Sequence, residues 1–358
     1  MLFEPFTARN LTLSNRIVMC PLTRSRAVDA NVPNALMVEY YSQRATAGLI
    51  ITEGTSPSPN GLGYARIPGL FNADQVRGWK LVTDAVHAKG SKIVLQLMHT
   101  GRVTHVANLP AGAEVIGPSA ATCPGEMYTD SQGMQPYSAP RPMNDNDIAI
   151  AIKEYATSAT LAIEAGFDGI ELHAANGYLI EQFLNPTVND RTDAYGAGID
   201  GRNHFAIDVA NAASAAIGAD RVGIRLSPYG VFNGTGGFPE VEEQYVALVQ
   251  TLSKMGLLYV HVLDHSAMGS PPVPATVKRR LHAAFDGPFI LAGGFDATSA
   301  EKALQEKQAD LIAFGRAFLA NPDLVKRMHD NSALNTPDMS TFYTSGPKGY
   351  TDYPSLAV

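Results

Sequence analysis

Apolar positions in this chain come in short unbroken runs, not in strict alternation with polar ones. Eight such runs stand out: Ile17–Leu22, Leu49–Gly54, Lys92–His99, Gly169–Ala174, Val222–Ser227, Leu258–Asp264, Pro288–Gly294 and Leu311–Gly315. Each is rich in Ile, Val and Leu, which suits parallel strands covered on both faces. Between them lie segments with helical periodicity: Ala35–Ala47, Asp74–Ala88, Asp147–Ala165, Arg202–Ile217, Val241–Met255, Ala275–Phe285, Ser299–Gln308 and Pro322–His329. Thr298 and Asn321 stand where helix caps are expected. Eight strand–helix units predict an α/β fold of the (β/α)8 TIM-barrel class. A doubly wound sheet is the competing architecture. The lack of a linker or composition break favours one barrel domain over residues 1–358.

Two connections are too long for ordinary loops. Thr100 to Asn146 is rich in Pro and Gly and has no helical period, and Asn176 to Gly201 follows the fourth strand. Both leave the C-terminal ends of strands, where barrel active sites sit. The 100–146 excursion is therefore expected to cap the site.

Composition narrows the function without naming it. Hydrophobic residues are 45% and charged residues 17%, enough for a large core. Lys plus Arg is 27 against 34 Asp plus Glu, a net charge of −7, which disfavours nucleic acid and anionic membrane as partners. No stretch approaches 18 apolar residues, and "MLFEPFTARN" lacks a signal-peptide core. Two cysteines, Cys20 and Cys123, are too few for a disulfide framework or a cysteine-held metal cluster. A soluble cytoplasmic protein acting on small molecules is expected.

The predicted strand ends are chemically loaded. Gly293-Gly294 after strand seven and Gly315-Arg316 after strand eight suit a phosphate site, with backbone N–H groups and a guanidinium facing an anion. Arg225 lies inside an apolar strand and needs a partner, either a carboxylate such as Glu171 or an electron-rich cofactor. Gln96 offers donors and an acceptor to a pyrimidine-like edge, or is a satisfied core amide. In "ELHAANGYLIEQFLNP", His173 and Asn176 can converge on one oxygen that becomes negative, and Tyr178 can act as a general acid. The alternative is a network of the three that only locks the turn.

Together these residues resemble the Old Yellow Enzyme family of FMN-dependent ene-reductases, in its threonine-type branch. The likeness runs nearly the whole chain, through "PLTRSR", "EYYSQRATAGLIITEGT", "QLMHTGR", "GFDGIELHAANGYLIEQFLNP", "NDRTDAYG", "RLSP", "LAGGF", "IAFGRAFLANPDL" and "GYTDYPSL". It implies a non-covalent FMN, with NADPH or NADH as hydride donor. Pro21, Leu22 and Thr23 would lie against the flavin ring, and Gly54 would allow close backbone approach to it. Gln96 would bind the pyrimidine edge, Arg225 would sit near N1 and O2, and Gly293, Gly294, Gly315 and Arg316 would hold the phosphate. His173 and Asn176 would bind the carbonyl oxygen of an electron-poor alkene and Tyr178 would deliver the proton, in ping-pong turnover. Tyr64, Met98, Phe232 and Tyr343 would line the substrate pocket. Met98 stands where relatives commonly carry tryptophan, which implies a roomier pocket and altered facial selectivity. Relatives include monomers and homodimers.

Two rival functions fit parts of the pattern. A metal-dependent barrel hydrolase would draw on His99, His173, His261, Asp264 and His265, although no His-x-His closes strand one. A passive flavin-binding protein would keep the cofactor contacts without needing Tyr178. Histidines outside the site are otherwise expected in loops and helix caps.

Overall fold

A computed structural model describes residues 1–356. Its centre is a closed barrel of eight parallel strands: β1 (Ile17–Met19), β2 (Leu49–Ile51), β3 (Lys92–Leu97), β4 (Gly169–Ala174), β5 (Val222–Leu226), β6 (Val260–Leu263), β7 (Phe289–Ala292) and β8 (Leu311–Phe314). Each strand pairs with the next, and β8 returns to β1. The (β/α)8 barrel replaces the doubly wound alternative because the last strand finds the first as its neighbour.

The runs do not alternate because both faces of the wall are buried. Outward residues such as Ile17, Ile50, Leu95, Leu172 and Ile224 pack under the surrounding helices. Inward residues divide the barrel in two. On β7, β8, β1 and β2 they are apolar: Ile290, Leu311, Val18 and Leu49 form an inner cluster. On β3 to β6 they are polar: Gln96 pairs in register with Glu171, His173 with Arg225, and Arg225 with His261. An N-terminal hairpin, Phe6–Ala8 with Leu11–Leu13, adds Phe6, Leu11 and Leu13 to the inner cluster.

The outer helices are α1 (Ala35–Gln43), α2 (Ala73–His87), α3 (Asp145–Glu164), α5 (Gly198–Ile217), α6 (Val241–Met255), α7 (Ala275–Ala283), α8 (Ala297–Gln305) and α10 (Leu324–His329). Two short helices, α4 (Leu179–Leu184) and α9 (Arg316–Ala320), were absent from the periodicity. Every side chain of α4 is buried, so its sequence carries no polar face. The predicted caps also move. Asp296, not Thr298, caps α8 through a reciprocal bond with Ser299. Asn321 ends α9 instead of opening α10. The 100–146 excursion carries a small antiparallel hairpin, Glu126–Thr129 with Gly133–Pro136. Among the described residues no helix is long and apolar enough to cross a membrane.

Candidate active site

The C-terminal mouth of the barrel opens into a cavity of about 500 Å³. Its wall includes Pro21, Leu22 and Thr23 after β1, Gln96 and Met98 at the end of β3, and His173, Asn176 and Tyr178 at the end of β4. Arg225 of β5, Phe232, Gly293 and Gly294 after β7, and Gly315 and Arg316 after β8 complete the circuit with Tyr64 and Tyr343. Of the predicted site residues only Gly54 is missing from this lining. A Cβ there would lie 2.5 Å from the Met98 sulfur. The glycine thus also accommodates the Met98 side chain.

Arg225 is buried, and Glu171 is not its partner. Among the described residues its guanidinium donates to the Cys20 sulfur, 3.9 Å from Nη2, and Nε has no partner. Among the described residues no carboxylate pairs with it, so its charge is directed at the cavity instead of being neutralised. Glu171 accepts instead from Gln96 Nε2 at 2.8 Å, Tyr259 Oη at 3.1 Å and His261 Nδ1 at 2.8 Å. His261 is therefore an interior strand residue, not the loop or cap histidine expected.

The three residues of the fourth strand end do not form a self-contained lock. No hydrogen bond links His173, Asn176 and Tyr178 among the described residues; His173 Nδ1 and Asn176 Oδ1 are buried without partners. The Tyr178 hydroxyl meets that of Tyr64 at 3.1 Å, and its ring stands edge-on to His173 with centroids 4.9 Å apart. Burial, then the charges of Arg225, His261 and His265, hold His173 well below the ordinary imidazole range, so it is neutral. Burial raises the Tyr178 phenol above its usual value, so it keeps its proton.

The turn bearing these groups is strained and braced. Asn176 has φ +60° and Gly177 has φ +76°, the left-handed region, which Asn tolerates better than most residues. Glu181 of α4 accepts from the Gly177 N–H at 2.5 Å and from Ser227 Oγ at 2.8 Å, and Ser227 Oγ accepts from the Asn176 N–H at 3.0 Å. Tyr245 Oη adds a third donor at 3.2 Å. Burial nevertheless pushes the Glu181 carboxyl from 4.5 up to about 7. The folded protein then binds a proton there that the unfolded chain has released, so this group's contribution to stability falls as pH rises from about 4.5 to about 7. The full effect is roughly 3 kcal/mol. Tm followed from pH 5 to pH 7 is expected to fall less in Glu181→Gln than in the parent. Equal slopes would refute the raised carboxyl.

Sequence reasoning missed part of the wall. Cys20, at the end of β1, lines the cavity, and burial pushes its thiol up to about 11. His265 also lines it, with its ring 4.3 Å from that of Phe232 and its pKa pushed down to about 4 by burial and by Arg225. A second cavity of about 350 Å³ lies behind Tyr64, Tyr178 and Tyr343, and Met127, Tyr128 and Met134 of the excursion hairpin close it. The turn residues between "EMYT" and "GMQP" were the available signal for that hairpin.

Comparison with known proteins gives the family. The profile of the NADH:flavin oxidoreductase / NADH oxidase family matches residues 1–335. 12-Oxophytodienoate reductase 1 of Oryza sativa subsp. japonica is 42% identical over 371 residues, covering 99% of this chain and 93% of the relative. The structure of morphinone reductase superposes with a TM-score of 0.95 at 42% identity, covering 99% of this chain and 96% of that one. The old yellow enzyme homologue from Zymomonas mobilis gives 0.94 at 37% identity, with 99% of each chain covered.

The chain belongs to the Old Yellow Enzyme family. It is accordingly an NAD(P)H-dependent flavin oxidoreductase whose cofactor is FMN. The cavity of this Old Yellow Enzyme fits that group. Arg225 supplies a cation on the cavity wall with no carboxylate in ion-pair contact among the described residues, which suits an electron-rich ring. Gly293 and Gly294, at φ +143° and +72°, leave a cradle without side chains: a Cβ on Gly293 would sit 2.5 Å from the Asp264 carbonyl oxygen. Arg316 opens α9 beside Gly315 and adds a guanidinium to that end. The hydrolase rival fails on ligand geometry: among the described residues no three His, Cys, Asp or Glu side chains are placed to share a metal. His99 accepts from the Gly101 N–H, Asp264 pairs with Lys278, and His261 pairs with Glu171.

Proposed function

We propose that this chain is an ene-reductase that reduces the C=C bond of α,β-unsaturated carbonyl or nitro compounds, using NADPH or NADH in ping-pong turnover. Bound FMN supplies a two-electron carrier that takes hydride from the nicotinamide and gives it to the alkene. The observation that carries the reading is the placement of the His173 imidazole and the Asn176 carboxamide, whose Nδ2 donates to no protein group among the described residues, beside a protonated Tyr178 on the wall of the cofactor cavity. His173 and Asn176 donate to the substrate oxygen, and these bonds strengthen as negative charge develops there. The β carbon is thereby made electron-poor enough to accept hydride. Tyr178 gives its proton to the α carbon. Pro21, Leu22 and Thr23 pack against the ring, Gln96 and Arg225 meet its polar edge, and Gly293, Gly294, Gly315 and Arg316 hold the phosphate. Tyr64, Met98, Phe232 and Tyr343 bound the space left for substrate.

Two relatives support the substrate class, since their names are those of a 12-oxophytodienoate reductase and a morphinone reductase, both acting on oxo compounds. Morphinone reductase has also been seen in complex with tetrahydroNAD. We take residues 1–358 as one domain, capped by 100–146. Cys123, Leu109 and Tyr137 of the cap pack in one cluster with Tyr178, which supports that reading. Two free, buried cysteines suit a cytoplasmic enzyme.

The test is optical. Purified protein should be yellow, bleach under anaerobic NADPH or NADH, and regain colour when cyclohexenone is added. A protein that bleaches but stays bleached with enones and nitroalkenes would be a flavin oxidoreductase without alkene reduction, and would overturn the ene-reductase reading.

Met98 lines the cavity. It is buried and packs in one cluster with Tyr178, Leu62 and Ile67. Met98→Trp introduces a larger ring beside Gly54. It is expected to cost about 1–3 kcal/mol of stability by overpacking and to change the enantiomeric ratio of products from substituted enones. Unchanged ratios across several enones would remove Met98 from the stereochemical account.

A further inference from the structure

We infer that Glu171 is a positioning residue for the cofactor: it fixes the direction of the Gln96 carboxamide, and its negative charge holds the flavin's reduction potential down. The inference rests on the placement of FMN against Gln96 and Arg225 proposed above.

Glu171 lies on the inner face of β4, two residues before His173, and is fully buried. A carboxylate only accepts hydrogen bonds. Its three partners, Gln96 Nε2, Tyr259 Oη and His261 Nδ1, must therefore all donate. Gly223, opposite Glu171 on β5, lacks the side chain that would collide with the Tyr259 ring, 2.4 Å from the Cβ position. The network is thus built into four consecutive strands, β3 to β6.

The constraint on Gln96 has a direct chemical result. An isolated glutamine amide can turn over and exchange its oxygen for its nitrogen. Here Nε2 is committed to Glu171, so Oε1 and the second N–H remain for the cavity. That is one acceptor beside one donor, the complement of an imide edge with its N–H between two carbonyls. Arg225 adds donors on the adjoining wall. Glu171 also places a full negative charge in a low-dielectric interior, with no Lys or Arg in ion-pair contact among the described residues. Reduction adds electron density to the ring, so this charge opposes reduction and Arg225 favours it.

The test uses FMN-loaded protein and two readouts, the FMN dissociation constant and the two-electron midpoint potential. Glu171→Gln removes the charge and frees the Gln96 amide. FMN binding should weaken at least tenfold. The potential should rise by the equivalent of at least tenfold in the reduction equilibrium, about 30 mV for a two-electron couple. Glu171→Asp keeps the charge with a shorter reach, so it should lose affinity while its potential stays near the parent's. In a Gln96→Ala background the affinity loss from Glu171→Gln should largely vanish. Folded Glu171→Gln with unchanged affinity and potential overturns the inference. Should that variant not fold, Tyr259→Phe decides: stripping one donor strengthens the carboxylate's field and should lower the potential, and an unchanged potential overturns the inference equally. Gln96→Ala and Arg225→Met binding FMN as tightly as the parent would instead sink the cofactor placement itself.

Discussion

Tyr178→Phe is expected to slow alkene reduction by roughly 10²–10⁴-fold, the usual worth of a positioned general acid. The reaction of oxidised enzyme with NADPH or NADH should proceed at the parental rate, because that step needs no proton at the α carbon. Burial favours the protonated phenol, so the parent should show no loss of rate from Tyr178 ionisation up to at least pH 9. The variant should also fold: Tyr178 loses only its bond to Tyr64 Oη, and its ring keeps the contact with His173. Stopped-flow measurement of the two half-reactions separates them. Equal slowing of both would remove Tyr178 as the proton donor.

Removing the oxygen-binding donors should cost nearly as much. His173→Ala and Asn176→Gly are each expected to lower the rate constant for alkene reduction by about 10²–10³-fold, close to 3–4 kcal/mol of transition-state stabilisation. Glycine is the better probe at Asn176, whose φ of +60° would strain alanine. The pH dependence carries the second half of the prediction. His173 is held far below the usual imidazole value by burial and by Arg225, so it is neutral throughout pH 6–8 and its donor count does not change there. The rate constant should therefore show no inflection near 6.5 that disappears in His173→Ala. Finding one would mean that a charged imidazolium binds substrate.

How much of this was legible in the sequence follows from where each signal lies. The eight strands were readable because inward and outward positions are both apolar over half of the barrel, giving unbroken runs. The phosphate glycines, Arg225, Gln96 and the His173–Tyr178 segment were readable because polar or flexible residues interrupt such runs at a fixed end. Helix α4 was not, since "LIEQFL" is buried on every side and has no periodic contrast. The partner of Arg225 was not readable either. Deciding between Glu171 and the cavity required the register of β3, β4 and β6, which brings Gln96, Tyr259 and His261 onto one carboxylate from residues far apart in the chain. Gly54 shows a further limit: its position was identified, but the contact that a side chain there would make with Met98 is visible only in the fold.

The hydroxyl contact between Tyr178 and Tyr64 bears on how the enzyme resets. A phenol that has surrendered its hydrogen is left as a buried anion and must be recharged before the next substrate arrives. Tyr64 borders both cavities, so it joins the reacting chamber to the space beneath the excursion hairpin. Replenishment can then reach Tyr178 by a relay through the two hydroxyls.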